Sequence, residues 1–157
     1  MRLKRSTVIC LFAAAGLVIF GGSGGQSGPI VLITADEAQR PAVANADLTF
    51  RAGISRGPAI ELVLPRPSEK SVRSPIHLQL KFEGRGGAQI DVDSLKLTYI
   101  KNPSADLTSR VKGFAKADGV DVPEAEIPPG MHIIRADVKD KEGRSGSLIF
   151  KLNVVNQ

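Results

Sequence analysis

Tryptophan is absent from this chain of 157 residues, tyrosine and cysteine occur once each, and histidine occurs twice. Each scarcity excludes a class of protein. One thiol, Cys10, cannot frame a disulfide-stapled scaffold. His77 and His132 are the only side chains whose ordinary pKa suits a base near neutral pH, and neither lies in a recognisable catalytic motif. Aromatic residues make up 4% of the chain. The rings that usually line a sugar cleft are therefore missing, and no spacing of carboxylates singles out an acid and a base. Apolar residues are 42% and charged residues 24%, too hydrophobic for a wholly disordered chain and sufficient for one packed domain.

The N-terminus carries Arg2, Lys4 and Arg5, then an apolar run over residues 8–20, then Gly and Ser over 21–25. Basic residues, a short apolar run and small residues, in that order, are the layout of a secretory signal segment. A run of 13 residues also falls short of the roughly 20 that span a bilayer. Residues 1–25 are expected to direct export and to be cut away near Gly25; the alternative is an anchor held by residues 8–20. Cys10 lies inside the run and reads as filler rather than a lipidation site. Removing 1–25 takes 21 basic residues to 18 against 16 acidic ones, and the formal charge from +5 to +2. Most of the basicity thus belongs to the targeting segment, and a nucleic-acid footprint is not expected. Residues 26–55 mix short apolar pieces with Ala, Pro and charge and read as a tether, with Leu48 and Phe50 as a short edge strand.

From Ala59 the pattern alternates with period two, which puts successive side chains on opposite faces of a sheet. Ile60, Leu62 and Leu64 form one such set, Ile76, Leu78, Leu80 and Phe82 a second, and Leu95, Leu97 and Tyr99 a third. Leu107, Val111, Phe114 and Ala115 then follow helical spacing, with Ser104 or Asp106 as cap and Gly119 as stop, so a helix of two to three turns is expected over 104–117. Pro123 interrupts the next apolar alternation, which therefore reads as an edge strand at best. His132, Ile134, Ala136 and Val138 alternate again. A tight turn at Asp140, Lys141, Glu142 and Gly143 leads to Leu148, Phe150, Leu152 and Val154. About seven short strands without a strand–helix repeat predict an all-β fold, a two-sheet sandwich with one short helix in a crossover.

The run Ile127, Pro128, Pro129, Gly130, Met131, His132, continued by Ile134, Ala136, Val138, Asp140 and Gly143, resembles the end of a bacterial immunoglobulin-like domain and is similar to a fibronectin type III module. The likeness covers roughly residues 56–157. It implies an immunoglobulin-like sandwich in which His132 stands where the family places a Tyr or His at the opening of a strand. Parity turns His132 toward the core and His77 toward solvent, so the two should not share a metal ion. A backbone carbonyl is the expected partner of the buried ring.

The remaining chemistry-bearing groups read as structural. Asp91 and Asp93 lack the further oxygen ligands and Gly of a calcium loop, since Leu95 and Lys96 stand in those places. Asp118 and Asp121 read as turn and pairing residues. Gly84, Arg85, Gly86 and Gly87 form a loop, with no Lys-Ser/Thr and helix start to make a phosphate cradle. Lys81, Lys96, Arg135, Lys139 and Lys151 cover solvated strand faces, with weak attraction to anionic polymers as a secondary possibility. No catalytic, cofactor-binding or metal-binding residue is assigned. The chain is expected to be an exported, non-catalytic immunoglobulin-like module, periplasmic or secreted, that contacts a protein or polymer of the bacterial envelope. The alternative is a periplasmic, copper-type metal-binding sandwich, although residues 26–55 hold none of the His or Met that class gathers near its N-terminus.

Overall fold

The computed structural model describes residues 28–43 and 56–156. The signal segment 1–25 and the Leu48–Phe50 strand expected from the sequence lie outside the described residues. Ten strands form two sheets packed face to face, an all-β two-sheet sandwich. The first sheet runs β1 (Ile30–Val31), β8 (Gly119–Glu126), β4 (Ile76–Glu83), β2 (Ala59–Leu64), and β7 (Ala115–Lys116) also pairs with β8. The second runs β3 (Val72–Arg73), β10 (Ser145–Val155), β9 (Gly130–Asp140), β5 (Ile90–Tyr99), β6 (Ala105–Asp106). Six strands are long and four have two residues, against the seven expected.

The alternation read from the sequence is the alternation of burial. In β4, Ile76, Leu78, Leu80 and Phe82 are buried while His77, Lys81 and Glu83 are exposed. In β9, His132, Ile134, Ala136 and Val138 face inward, and they meet Leu97 and Tyr99 of β5 and Phe150 and Leu152 of β10 in one apolar core. The β9–β10 hairpin turns as expected. Gly143 sits at φ +81°, a left-handed conformation that glycine adopts without strain. The buried Asp140 carboxylate accepts from the backbone N–H of Glu142 (3.1 Å) and of Arg144 (2.9 Å), and from Arg144 Nε (2.7 Å).

Three expectations are corrected. Residues 28–43 are not a tether: they contribute β1, which pairs in parallel with β8, and the helix α1 (Ala35–Gln39), and they bury Leu32 and Ile33 completely. The helix expected over 104–117 shrinks to α2 (Thr108–Val111) and a single 3-10 turn at Lys112–Phe114, flanked by β6 and β7. Its apolar spacing is real, with Leu107 and Val111 fully buried, but an irregular crossover satisfies it. Asp106 does cap this segment, accepting from Thr108 N–H at 2.8 Å. Finally, β8 is an inner strand despite Pro123. Its pairing with β4 steps from Ile76↔Ala125 to Leu78↔Val122, so a bulge falls at the proline, where the missing N–H is tolerated.

The sandwich has two distinct ends. At one, the β9–β10 hairpin meets the start of β5, with Ile90 opposite Asp140, and residues 57–58 press against 145–146. At the other, the β3–β4 and β8–β9 turns, the ends of β5 and β10 and residues 28–43 come together. This second end is called the leader end below.

Phe82→Ala and Phe150→Ala should each destabilise the protein by about 3–5 kcal/mol, because each empties a packed position. Lys81→Ala, exposed and one residue away, should change stability by less than about 0.5 kcal/mol. Urea melts of the three variants decide this, and the reverse order would mean that the register of β4 is wrong.

Candidate functional site

The leader end gathers the groups that sequence reasoning left unconnected. Residues 30–33 cross the edge of β8, where Leu32 N–H donates to the Glu126 carbonyl at 2.9 Å. The chain then enters α1 through a capping box. Glu37 N–H donates to Thr34 Oγ1 (3.3 Å), and Thr34 N–H donates back to Glu37 Oε2 (2.9 Å). A five-residue helix cannot hold itself together in water. What fixes this one is Arg110 of α2, which forks onto Glu37: Nη1 to Oε2 at 2.8 Å and Nη2 to Oε1 at 2.9 Å. The same Nη1 donates to the Leu32 carbonyl at 2.7 Å.

Glu37 is buried. The Arg110 guanidinium, opposed by burial and helped by the Thr34 bonds, lowers its carboxyl pKa from 4.5 to about 2 and raises that of Arg110. At the far end of α1, Lys101 Nζ donates to the Ala38 carbonyl (3.1 Å), Arg40 Nη1 to the Pro103 carbonyl (3.2 Å), and Asn102 N–H to the Pro41 carbonyl (3.0 Å). Residues 28–43 are thus a strap laid across the leader end and fastened on both sides.

Lys101 also lies 5.8 Å above the Tyr99 ring, which joins the strap to the buried histidine. His132 Nε2 lies 2.8 Å from the Pro128 carbonyl, which can only accept, so Nε2 carries the proton. Nδ1 is left to accept from Tyr99 Oη at 2.9 Å. The expected carbonyl partner is present, and Tyr99 is the partner that parity alone did not supply. Burial lowers the His132 pKa, partly opposed by the Pro128 bond, and burial followed by the Glu37 charge raises that of Tyr99.

The other candidates are scattered. His77 stands on the outer face of the first sheet with Nε2 2.6 Å from Asp121 Oδ1. Asp93 faces Lys112 at 3.6 Å. Ser94 holds a wide bulge in β5 by donating to the Asp91 carbonyl (2.6 Å) and accepting from Lys139 N–H (2.7 Å). Residues 85–87 form a 3-10 turn with Gly86 in a left-handed conformation. Arg135 pairs with Asp137 at 2.8 Å on the outer face of the second sheet. Among the described residues, no three His, Cys, Asp or Glu side chains gather where a metal ion could be held.

Beside the strap lies an open groove of about 540 Å³. Val31, Ile33, Pro75, Pro128, Pro129 and Val155 form its apolar walls, with Thr34, Ser74, Glu126 and Asn156 at the polar margin. Neither histidine lines it, and Glu126 is its one ionisable lining residue. Among the described residues no helix is long and apolar enough to cross a membrane. In comparisons with known proteins, no family model, curated protein or solved structure matches the chain.

The signals for the strap were present in part. Thr34, Glu37 and the spacing between them are a capping-box signature, but Arg110 lies 73 residues away and no local pattern joins the two.

Acid should loosen this end in two stages. The folded state holds His132 at a pKa below its ordinary 6.5, so its stabilisation is complete above pH 6.5 and declines as the pH falls below it. The folded state also holds Glu37 near 2 rather than 4.5, a contribution of about 3 kcal/mol that is present above pH 4.5 and lost as the pH drops toward 2. Urea melts from pH 8 to pH 2.5 should show both stages. Glu37→Gln should shrink the second, leaving the part that Asp106 and Asp140 contribute through their own lowered pKa values, and lower stability at pH 7, while His132→Phe should abolish the first. A Glu37→Gln variant as stable as wild type at pH 7 would show that the ion pair does not fasten the strap.

Proposed function

We propose that the chain is an exported, non-catalytic immunoglobulin-like module that acts through contacts with a protein or polymer of the bacterial envelope. The observation that carries this reading is the strand order. The edge is split, with β2 pairing to β4 in one sheet and β3 pairing in parallel to β10 in the other. That arrangement gives the β2–β4–β8 and β10–β9–β5 triplets, matching the A-B-E and G-F-C order of immunoglobulin sandwiches. A further parallel supports it. Those sandwiches carry a Tyr at the opening of strand F whose hydroxyl bonds back to the backbone a few residues upstream. Here His132, near the start of β9, bonds the Pro128 carbonyl four residues back.

A binding role is favoured over catalysis by where the histidines go. Both ring nitrogens of His132 are committed to internal bonds, and His77 is tied to Asp121 on an open strand face. Among the described residues neither is bonded to a serine, threonine or cysteine side chain. Export rests on the basic and apolar layout of residues 1–20.

The full chain, tagged at its C-terminus, should capture a defined envelope component. The purified component should then bind the purified chain saturably. Turnover of any member of an ester, peptide and glycan panel that survives repurification would overturn the non-catalytic reading. A saturable melting shift with copper or zinc, removed by His77→Ala or His132→Phe, would favour the metal-binding alternative.

A further inference from the structure

The four most exposed large apolar side chains among the described residues are Met131 (64%), Val31 (50%), Val43 (38%) and Val155 (38%), and all four lie at the leader end. Val31 and Val155 both line the groove. Met131 follows the Pro129 wall and pairs with Asn153, two residues from Val155. Val43 closes the strap just beyond Pro41, which is bonded to Asn102. Among the described residues the hairpin end has no such side chain, and its loops at 84–89 and 141–144 carry Gly, Ala, Arg, Lys, Gln and Glu. Exposed single valines need no explanation; their confinement to one end does.

The same end receives the chain from residues 8–20, the longest apolar run in the sequence, with Arg2, Lys4 and Arg5 on its far side. Only residues 21–27 separate that run from Gly28, a reach of roughly 25–30 Å when fully extended. We propose that the leader end is a membrane-facing surface. In this reading residues 8–20 stay in the bilayer as an anchor, their shortfall from a full span taken up by local thinning and by snorkelling of Lys4 and Arg5, and Val31, Val43, Met131 and Val155 rest on the lipid. The inference takes from the functional reading only its exported topology and chooses between its two forms, release and anchoring, in favour of the second. Arg73, which pairs with Val155 across β3 and β10, and Lys70, whose carbonyl accepts from Asn153, are the basic residues beside Val155 that this reading offers to lipid phosphates. Asp36 and Glu126 are also at this end, so adhesion rests on apolar contact and the tether rather than on net positive charge. Shallow apolar contact alone gives only weak, reversible membrane binding, so in this reading residues 8–20 hold the chain at the bilayer and the leader end sets its orientation there.

The test places a single reporter on each end of the full chain. In a Cys10→Ser background, Met131→Cys, Val155→Cys and Lys141→Cys are labelled with an environment-sensitive fluorophore. Each is reconstituted in vesicles of phosphatidylethanolamine and phosphatidylglycerol containing a nitroxide lipid quencher. Labels at 131 and 155 should be quenched at least twofold more than the label at 141. Adding Val31→Asp and Val43→Asp should bring quenching at 155 down to the level at 141 while the chain stays vesicle-bound through residues 8–20. Equal quenching at both ends overturns the proposal. So does native protein that lacks residues 1–25 and fractionates away from membranes, a result that leaves the envelope-module reading intact.

Discussion

The fork between Arg110 and Glu37 is the constraint on which the leader end depends. It joins a five-residue helix to a four-residue one, and neither has the length to persist alone. Burying a carboxylate carries a desolvation cost, which this site offsets by giving both oxygens charged donors and adding the Thr34 N–H. Removing either partner would leave the other charged and poorly solvated, the costly way to break such a pair. The geometry also selects one placement of the strap, since Arg110 binds the Leu32 carbonyl and Glu37 with the same nitrogen. A strap shifted by one residue along β8 would lose both contacts and turn Leu32 away from the core.

That anchoring separates two kinds of polar work at this end. The ion pair positions the strap from outside the core, whereas the Tyr99–His132 couple ties β5 to β9 from within it. Lys101 links them, reaching from above the Tyr99 ring to the Ala38 carbonyl. The couple needs neutral His132 because a protonated ring could not accept the Tyr99 proton. Its lowered pKa and its hydrogen-bond geometry therefore express one requirement, a buried and uncharged ring held between the strands.

The strands were legible because one face of each is buried, and a one-residue slip would expose every apolar side chain of β4 or β9. Parity also placed His132 inside and His77 outside, and chemistry supplied the carbonyl partner. What failed were local rules overridden by tertiary packing. Pro123 argues for an edge, yet the bulge opposite β4 absorbs it. Leu107, Val111, Phe114 and Ala115 keep helical spacing, yet β6 and β7 pair with their neighbouring strands and leave only seven residues helical. Ile30, Val31, Leu32 and Ile33 are too short a run to announce a strand, and they find their place only through Glu126 and Arg110. The candidate site was legible only as isolated residues, since Tyr99, Arg110 and Glu37 meet through long-range contacts that periodicity does not encode.

A sandwich of long strands must finish at two ends, and this chain finishes them by different physics. At the hairpin end the polar groups have turn-forming work. Asp140 gathers the amides of residues 142 and 144, Gly143 supplies the left-handed turn, and Ser94 bridges the β5 bulge to β9. At the leader end the buried stabilising groups are Leu32, Ile33, Glu37 and His132, and the apolar side chains above them are half-buried or exposed. Replacing Met131, 64% exposed, would remove little buried area, so folding stability does not account for its hydrophobicity. Solubility would favour polar residues at those positions. If that end meets lipid, as proposed, the exposed apolar side chains and the apolar run at residues 8–20 of the sequence have one common reason.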